Sequence, residues 1–148
     1  MKKIYLASPL DDIYREHIEK AKAVLQRKGF EVYVPLEHII PNAWDYPNQE
    51  WGLMVFTNDV SAIDDADFVV ALSFGRAHIT SGTSWECGYA FAKGKKIVLV
   101  EINADNSDGF TMSLMVANGR YATVSEIDGL RDYNFATMPK TRTETEQK

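Results

Sequence analysis

Cysteine is almost missing from this 148-residue chain, where Cys87 stands alone. One cysteine excludes an internal disulfide and any cysteine-based zinc site, and it fits a reducing compartment. No basic run is present and the formal net charge is −5. The chain therefore has no concentrated basic segment with which to neutralise a phosphate backbone, and non-specific binding to nucleic acid is not expected. No stretch approaches the roughly 20 apolar residues of a membrane helix, and the apolar run after Met1-Lys2-Lys3 is too short for a secretory signal. The expected setting is the cytoplasm, with no membrane partner. Gly-x-Gly-x-x-Gly and P-loop patterns are absent, so the usual signatures of a dinucleotide or ATP site are missing. Gly82-Thr83-Ser84-Trp85-Glu86 lacks the second glycine of a serine nucleophile elbow. His17, His38 and His78 show no metal-ligand spacing, and surface or loop roles are expected for them. No metal and no cofactor are expected.

What is present is an ordinary globular composition, 45% hydrophobic and 25% charged, arranged as apolar runs alternating with helical patterns. Ile4–Ala7 reads as a buried strand. A helix follows, capped by Asp11 or Asp12, striped by Ile18, Ala21, Val24 and Leu25, and closed by Gly29. Phe30–Val34 is a second strand. Leu36–Gln49 is a long loop of the kind that often binds ligands. A helix is expected from about Asn48 through Ala62, with Trp51, Val55, Phe56 and Ile63 on or near its buried face. Asp67–Leu72 is a third strand and Ser73–Ser81 a loop. Ile97–Val100 is a fourth strand, Phe110–Asn118 a short helix, and Tyr121–Val124 a fifth strand. Such alternation implies a single doubly wound, flavodoxin- or Rossmann-like α/β domain with a five-stranded parallel sheet. It should occupy residues 1–140, followed by a polar tail over 141–148 that is expected to fray.

Sheets of this kind bind ligands at the carboxyl ends of their strands, which here means Ser8-Pro9, Ser73–Thr83 and Ile102–Phe110. Four polar features can converge there: Tyr5 on the first strand, Asp59 on the helix before the third, the segment Thr80–Ser84, and Glu86 on the helix that this segment opens. Glu86 lies in the first or second turn of that helix. The positive end of the helix dipole should favour its ionised form, as a nucleophile or a metal ligand requires. Thr80, Ser81 and Thr83 serve either as caps or as ligand contacts. Trp44, Tyr46 and Trp51 serve either to stack on a base or as core or oligomer contacts. Cys87 reads as a small packed residue.

Several blocks, in order along most of the chain, carry a resemblance. They are Lys3-Ile4-Tyr5-Leu6-Ala7-Ser8-Pro9, Phe56-Thr57-Asn58-Asp59-Val60, Ser81-Gly82-Thr83-Ser84-Trp85-Glu86-Cys87-Gly88-Tyr89-Ala90, Ser113-Leu114-Met115, and Asp132-Tyr133-Asn134-Phe135-Ala136-Thr137. Together they resemble the nucleoside 2-deoxyribosyltransferases, which cleave the bond between deoxyribose and a base and pass the sugar to another base. The resemblance implies that Glu86 is the nucleophile at the anomeric carbon, Tyr5 the hydroxyl that orients it, and Asp59 the acid/base residue beside the leaving base. It implies substrate contacts from Ser8, Thr80, Ser81, Gly82 and Thr83. It also implies a homo-oligomer, dimeric or hexameric, in which Ser113 and Met115 reach a neighbour's site. The small-molecule partners would be nucleosides or nucleotides and free nucleobases.

The chain departs from the transferase pattern at two places. Thr80 stands where the transferases usually have Asp, six positions before the nucleophile, and Ser113 stands where they usually have Asn. A related branch hydrolyses nucleoside 5′-monophosphates to free base and sugar phosphate, and it resembles this chain at both places. Hydroxyls and a helix N-terminus suit a phosphate dianion better than a carboxylate does. Against that branch, Ser8-Pro9-Leu10-Asp11-Asp12 lacks its Arg and Gly residues, and the block Tyr133–Thr137 looks more like the transferases. The loop around Glu37, His38 and Ile39 lacks the glutamine of many transferases, which leaves base preference open. A non-catalytic nucleotide-binding sensor is the alternative from another class.

Overall fold

Five short apolar segments pair side by side, all parallel, in the order β2-β1-β3-β4-β5. The computed structural model describes residues 1–74, 79–102 and 114–143. Its elements alternate as β1 (Lys3–Ala7), α1 (Arg15–Arg27), β2 (Glu31–Tyr33), α2 (Asn48–Asp65), β3 (Phe68–Phe74), α3 (Ser81–Ala92), β4 (Lys96–Ile102), α4 (Leu114–Gly119), β5 (Ala122–Ser125) and α5 (Glu126–Asp132). The doubly wound five-stranded parallel sheet expected from the apolar runs is thus the observed architecture. Asp11 caps the single 3-10 turn Asp12–Tyr14 that leads into α1, its side chain accepting from the Ile13 amide. Gly29 and Gly94 close α1 and α3 at φ +93° and +74°, a region that side-chain-bearing residues avoid.

The two-residue period of the strands divides the core in two. Ile4, Leu6, Val70, Leu72, Val98 and Val100 face Ile18, Ala21, Val24 and Leu25 of α1 and Leu130 of α5. Tyr5, Ala7, Val69, Ala71, Ile97 and Leu99 face Ile63 of α2, Cys87 and Ala90 of α3, and Val116 and Ala117 of α4. Burying a side chain such as Leu72 or Leu99 completely contributes about 1.5–3 kcal/mol. Tyr5 pairs in register with Tyr33 on one side and with Val69 on the other. The order in which successive strands join the sheet reverses between β1 and β3, the switch point at which such folds open a ligand crevice.

Two expectations need correction. Of the four α2 residues expected on or near the core face, only Ile63 is buried. Trp51 and Phe56 are exposed, and Val55 is half-buried. The helical stripe exists, but most of it faces an open cavity instead of the sheet. The tail, expected to fray from Thr141, is docked over its first three residues. The Thr123 amide donates to the Thr141 carbonyl at 3.0 Å, and the Thr143 hydroxyl donates to the buried Glu101 carboxylate at 2.5 Å. The first of these bonds satisfies a backbone amide on the outer edge of β5, which has no strand partner there among the described residues, and the second anchors the tail to a side chain of β4. Residues 75–78, 103–113 and 144–148 lie outside the described residues, and with them parts of the expected loop Ser73–Ser81, segment Ile102–Phe110, helix Phe110–Asn118 and tail, including His78 and Ser113.

Candidate active site

A cavity of about 520 Å³ opens at the carboxyl end of β1, between α2 and α3. Gly52, Val55, Phe56, Asp59, Val60 and Ile63 line one wall. Their spacing of three and one is a single face of α2. Thr80, Gly82, Thr83, Trp85 and Glu86 line the opposite wall, and Ser8, Leu10 and Pro35 close the floor and rim. The lining is mostly apolar, with a few polar groups placed among it, as ligand cavities usually are.

α3 presents Glu86 because Thr80 starts it. The Thr80 hydroxyl accepts from the Thr83 amide at 3.3 Å and lies 2.8 Å from the Thr83 hydroxyl. Six residues after Thr80, in the second turn, Glu86 projects into the cavity, and the phenol of Tyr5 donates to its Oε2. The Tyr5 side chain has no solvent exposure at all. Its own ionisation is pushed far up by burial and by the adjoining Glu86 charge, so it remains a donor.

Burial also acts on Glu86. It pushes the carboxyl up to about 7, with nearby Asp59 adding to the rise and the Tyr5 hydrogen bond working against it. This corrects the expectation of a firmly ionised side chain. The dipole's influence fades beyond the first turn, whereas loss of water acts wherever the carboxylate is enclosed. Asp59 is half-buried, and burial raises it too, although Tyr33 and His38 pull in the opposite direction. The site therefore holds two neighbouring carboxyl groups that both resist ionisation, the environment in which one acts as an acid while the other carries charge.

Of the residues anticipated at the site, Tyr5 and Glu86 are hydrogen-bonded to one another. Asp59, Ser8, Thr80, Gly82 and Thr83 line the same cavity. Ser81 is exposed at the start of α3 and does not line it. Met115 is 83% exposed and lines a separate groove of about 440 Å³ with Cys87, Phe91 and Leu114. Trp44, Tyr46 and Trp51 are all exposed. Cys87 is buried, and its thiol is pushed up to about 12 by burial and the neighbouring Glu86, which suits an inert packed residue.

Tyr33 was not anticipated. Its ring stacks on Tyr5 at 5.5 Å between centroids, and its hydroxyl lies 3.4 Å from Asp59 Oδ1. The signal available was its place two residues before Pro35 on the strand beside Tyr5. His38, for which a surface or loop role was expected, is exposed at the end of the turn Pro35–His38 and stacks on Tyr33 at 4.1 Å. Among the described residues no group of three His, Cys, Asp or Glu side chains gathers to hold a metal ion, and no helix is long and apolar enough to cross a membrane.

Comparison with known proteins places this geometry in context. The family described as nucleoside 2-deoxyribosyltransferase matches residues 4–119. A nucleoside deoxyribosyltransferase from Limosilactobacillus fermentum is 30% identical over 88 residues. That match covers 58% of this chain and 52% of the relative, so it spans about half the relative's length. The structure of a 2-deoxyribosyltransferase from Bacillus psychrosaccharolyticus superposes with a TM-score of 0.81 at 31% identity, covering 95% of this chain and 98% of that one. A CMP N-glycosidase from Clostridium botulinum shares the fold at a TM-score of 0.56 and 24% identity, covering 88% and 94% of the two chains.

Proposed function

Because this chain belongs to the nucleoside 2-deoxyribosyltransferase family, we propose that it transfers 2-deoxyribose between nucleobases through a glycosyl ester on Glu86. The observation that carries this reading is the Tyr5–Glu86 hydrogen bond at the wall of a mostly apolar cavity that also holds Asp59. In the first half-reaction a Glu86 oxygen attacks C1′ from the face opposite the base. The C1′–N bond breaks, its electron pair leaves with the base, and protonated Asp59 delivers the proton that the departing nitrogen takes up. In the second half-reaction an incoming base attacks C1′, the ester oxygen departs as the Glu86 carboxylate, and Asp59 takes the proton shed by the new base. Two inversions give net retention, as in retaining glycosidases. Tyr5 donates to Glu86 and holds it on the attack line.

The second reading is hydrolysis of nucleoside 5′-monophosphates, favoured by Thr80 at the cavity wall in place of an acidic residue. The cavity wall among the described residues carries two carboxyl groups and no lysine or arginine, which favours an uncharged nucleoside over a phosphate dianion. Deoxyinosine incubated with adenine, and separately dAMP or dCMP alone, distinguish the two. Deoxyadenosine should form in the first mixture. Free base with deoxyribose phosphate from the second would transfer the conclusion to the hydrolase. A slow 2-fluoro-arabinosyl nucleoside should add one sugar mass to the wild-type protein and none to Glu86→Gln. Exchange that proceeds without that adduct would overturn the covalent route.

A further inference from the structure

The edge strand β2 is only three residues long, yet its Tyr33 stacks on the Tyr5 that holds Glu86 and directs its own hydroxyl toward Asp59. Register sets Tyr33 beside Tyr5, and their rings lie 14° from parallel. His38, from the turn Pro35–His38, lies 5° from parallel with Tyr33. The three rings tie β1, β2 and that turn into one stack. The Tyr33 hydroxyl leaves the stack toward Oδ1 of Asp59 on α2. Its phenol is pushed up to about 12 by burial and by Asp59, so it keeps its proton and can only donate to a carboxylate.

We propose that Tyr33 is a positioning residue for Asp59. Its hydroxyl engages Oδ1, leaves Oδ2 as the oxygen that carries and delivers the proton, and is itself held in place by stacking on the Tyr5 that orients Glu86. This rests on the deoxyribosyl-transfer reading for the identity of the proton's destination, but not for the placement of the carboxyl group. The 3.4 Å separation is long for such a bond. Contacts of this kind tighten when the reacting complex forms, and α2 needs to close by only a fraction of an ångström. Tyr33 keeps its own proton throughout; the proton that moves belongs to Asp59.

Tyr33→Phe preserves the ring stack and removes only the hydroxyl. The groups facing Asp59 are Tyr33 from β2, Tyr5 from β1, Glu86 from α3 and His38 from the turn. A His38→Gln background removes the imidazole charge, so that the hydroxyl's effect on Asp59 can be isolated. The carboxyl carbon of Asp59 should titrate at higher pH in Tyr33→Phe than in wild type, because the ionised form loses a donor. In the exchange assay kcat should fall by about tenfold, with KM changed less than about twofold. The high-pH limb of the rate profile should move upward with the Asp59 midpoint. Tyr33→Leu, which also loses the stack, should raise KM in addition. An unmoved Asp59 midpoint in Tyr33→Phe overturns the proposal, whether or not kcat falls. A moved midpoint in a protein whose wild type exchanges no bases would retain Tyr33's placement of Asp59 and refute the transferase reading instead.

Discussion

Glu86 stands between two opposing influences, enclosure that favours its proton and the Tyr5 phenol that favours its charge. Enclosure prevails, bringing the group to about 7 from an ordinary value of 4.5. The consequence for stability has a definite sign. Between about pH 4.5 and 7 the folded protein retains a proton that the unfolded chain releases, so this contribution is complete at low pH and is lost as pH rises through 7. Glu86→Gln cannot suffer that loss. Partial exposure discounts the effect to on the order of 2 kcal/mol. Thermal denaturation should therefore show Glu86→Gln gaining over wild type by about 5 °C more at pH 8 than at pH 5. The same variant should lose base exchange by more than about 10³-fold. Equal Tm differences at the two pH values would show that the carboxyl is not enclosed as described.

At the next level up, α3 begins where its cap and the cavity wall coincide. Thr80 supplies the capping oxygen and lines the cavity as well. Thr80→Ala should cost about 1 kcal/mol in chemical denaturation, the usual loss when a threonine cap is removed. Thr80→Asp keeps a capping oxygen and should restore that stability, while adding negative charge at the wall. Any cleavage of dAMP or dCMP should then fall relative to exchange between deoxynucleosides. Assaying both substrates with both variants tests this, and parallel losses on the two substrates would remove Thr80 from substrate selection. α2 shows the complementary case, in which a regular apolar stripe serves a cavity wall. A helix pattern specifies which residues share a face but not what that face meets.

Across the whole molecule, large apolar side chains remain on the layer formed by α2, α3 and α4. Phe56 and Trp85 contact each other in a tilted edge-to-face arrangement, while Phe91 and Leu114 are 61% and 71% exposed beside the groove that holds Met115. Clustered exposed apolar side chains favour association, and from them we propose a homo-oligomer. Light scattering coupled to size exclusion should find an assembly larger than a single chain, and Leu114→Glu should reduce its size while leaving the circular dichroism spectrum unchanged. A wild-type monomer at micromolar concentration would refute the expectation.

Strand runs such as Phe68-Val69-Val70-Ala71-Leu72 could be assigned from the chain alone, because a parallel strand covered on both faces must be apolar throughout. The alternation of these runs with helical stripes then implied the parallel sheet. Glu86, Tyr5 and Asp59 were legible for a different reason, since the residue types and their order matched a family's chemistry. Tyr33 was not legible, because its importance arises from pairing in register with Tyr5 and from a hydroxyl that reaches a helix 26 residues further along the chain, and the stacking of His38 on it is also a product of the fold. The upward shift of the Glu86 carboxyl was likewise invisible. Local sequence places a carboxylate near a helix start and suggests charge, but water is excluded by distant residues, and only the folded packing of α2 against α3 encloses the group. Short-range pattern thus determined the elements and the chemical groups. The electrostatics of the site depends on long-range proximity, which comes into being only when the sheet is assembled.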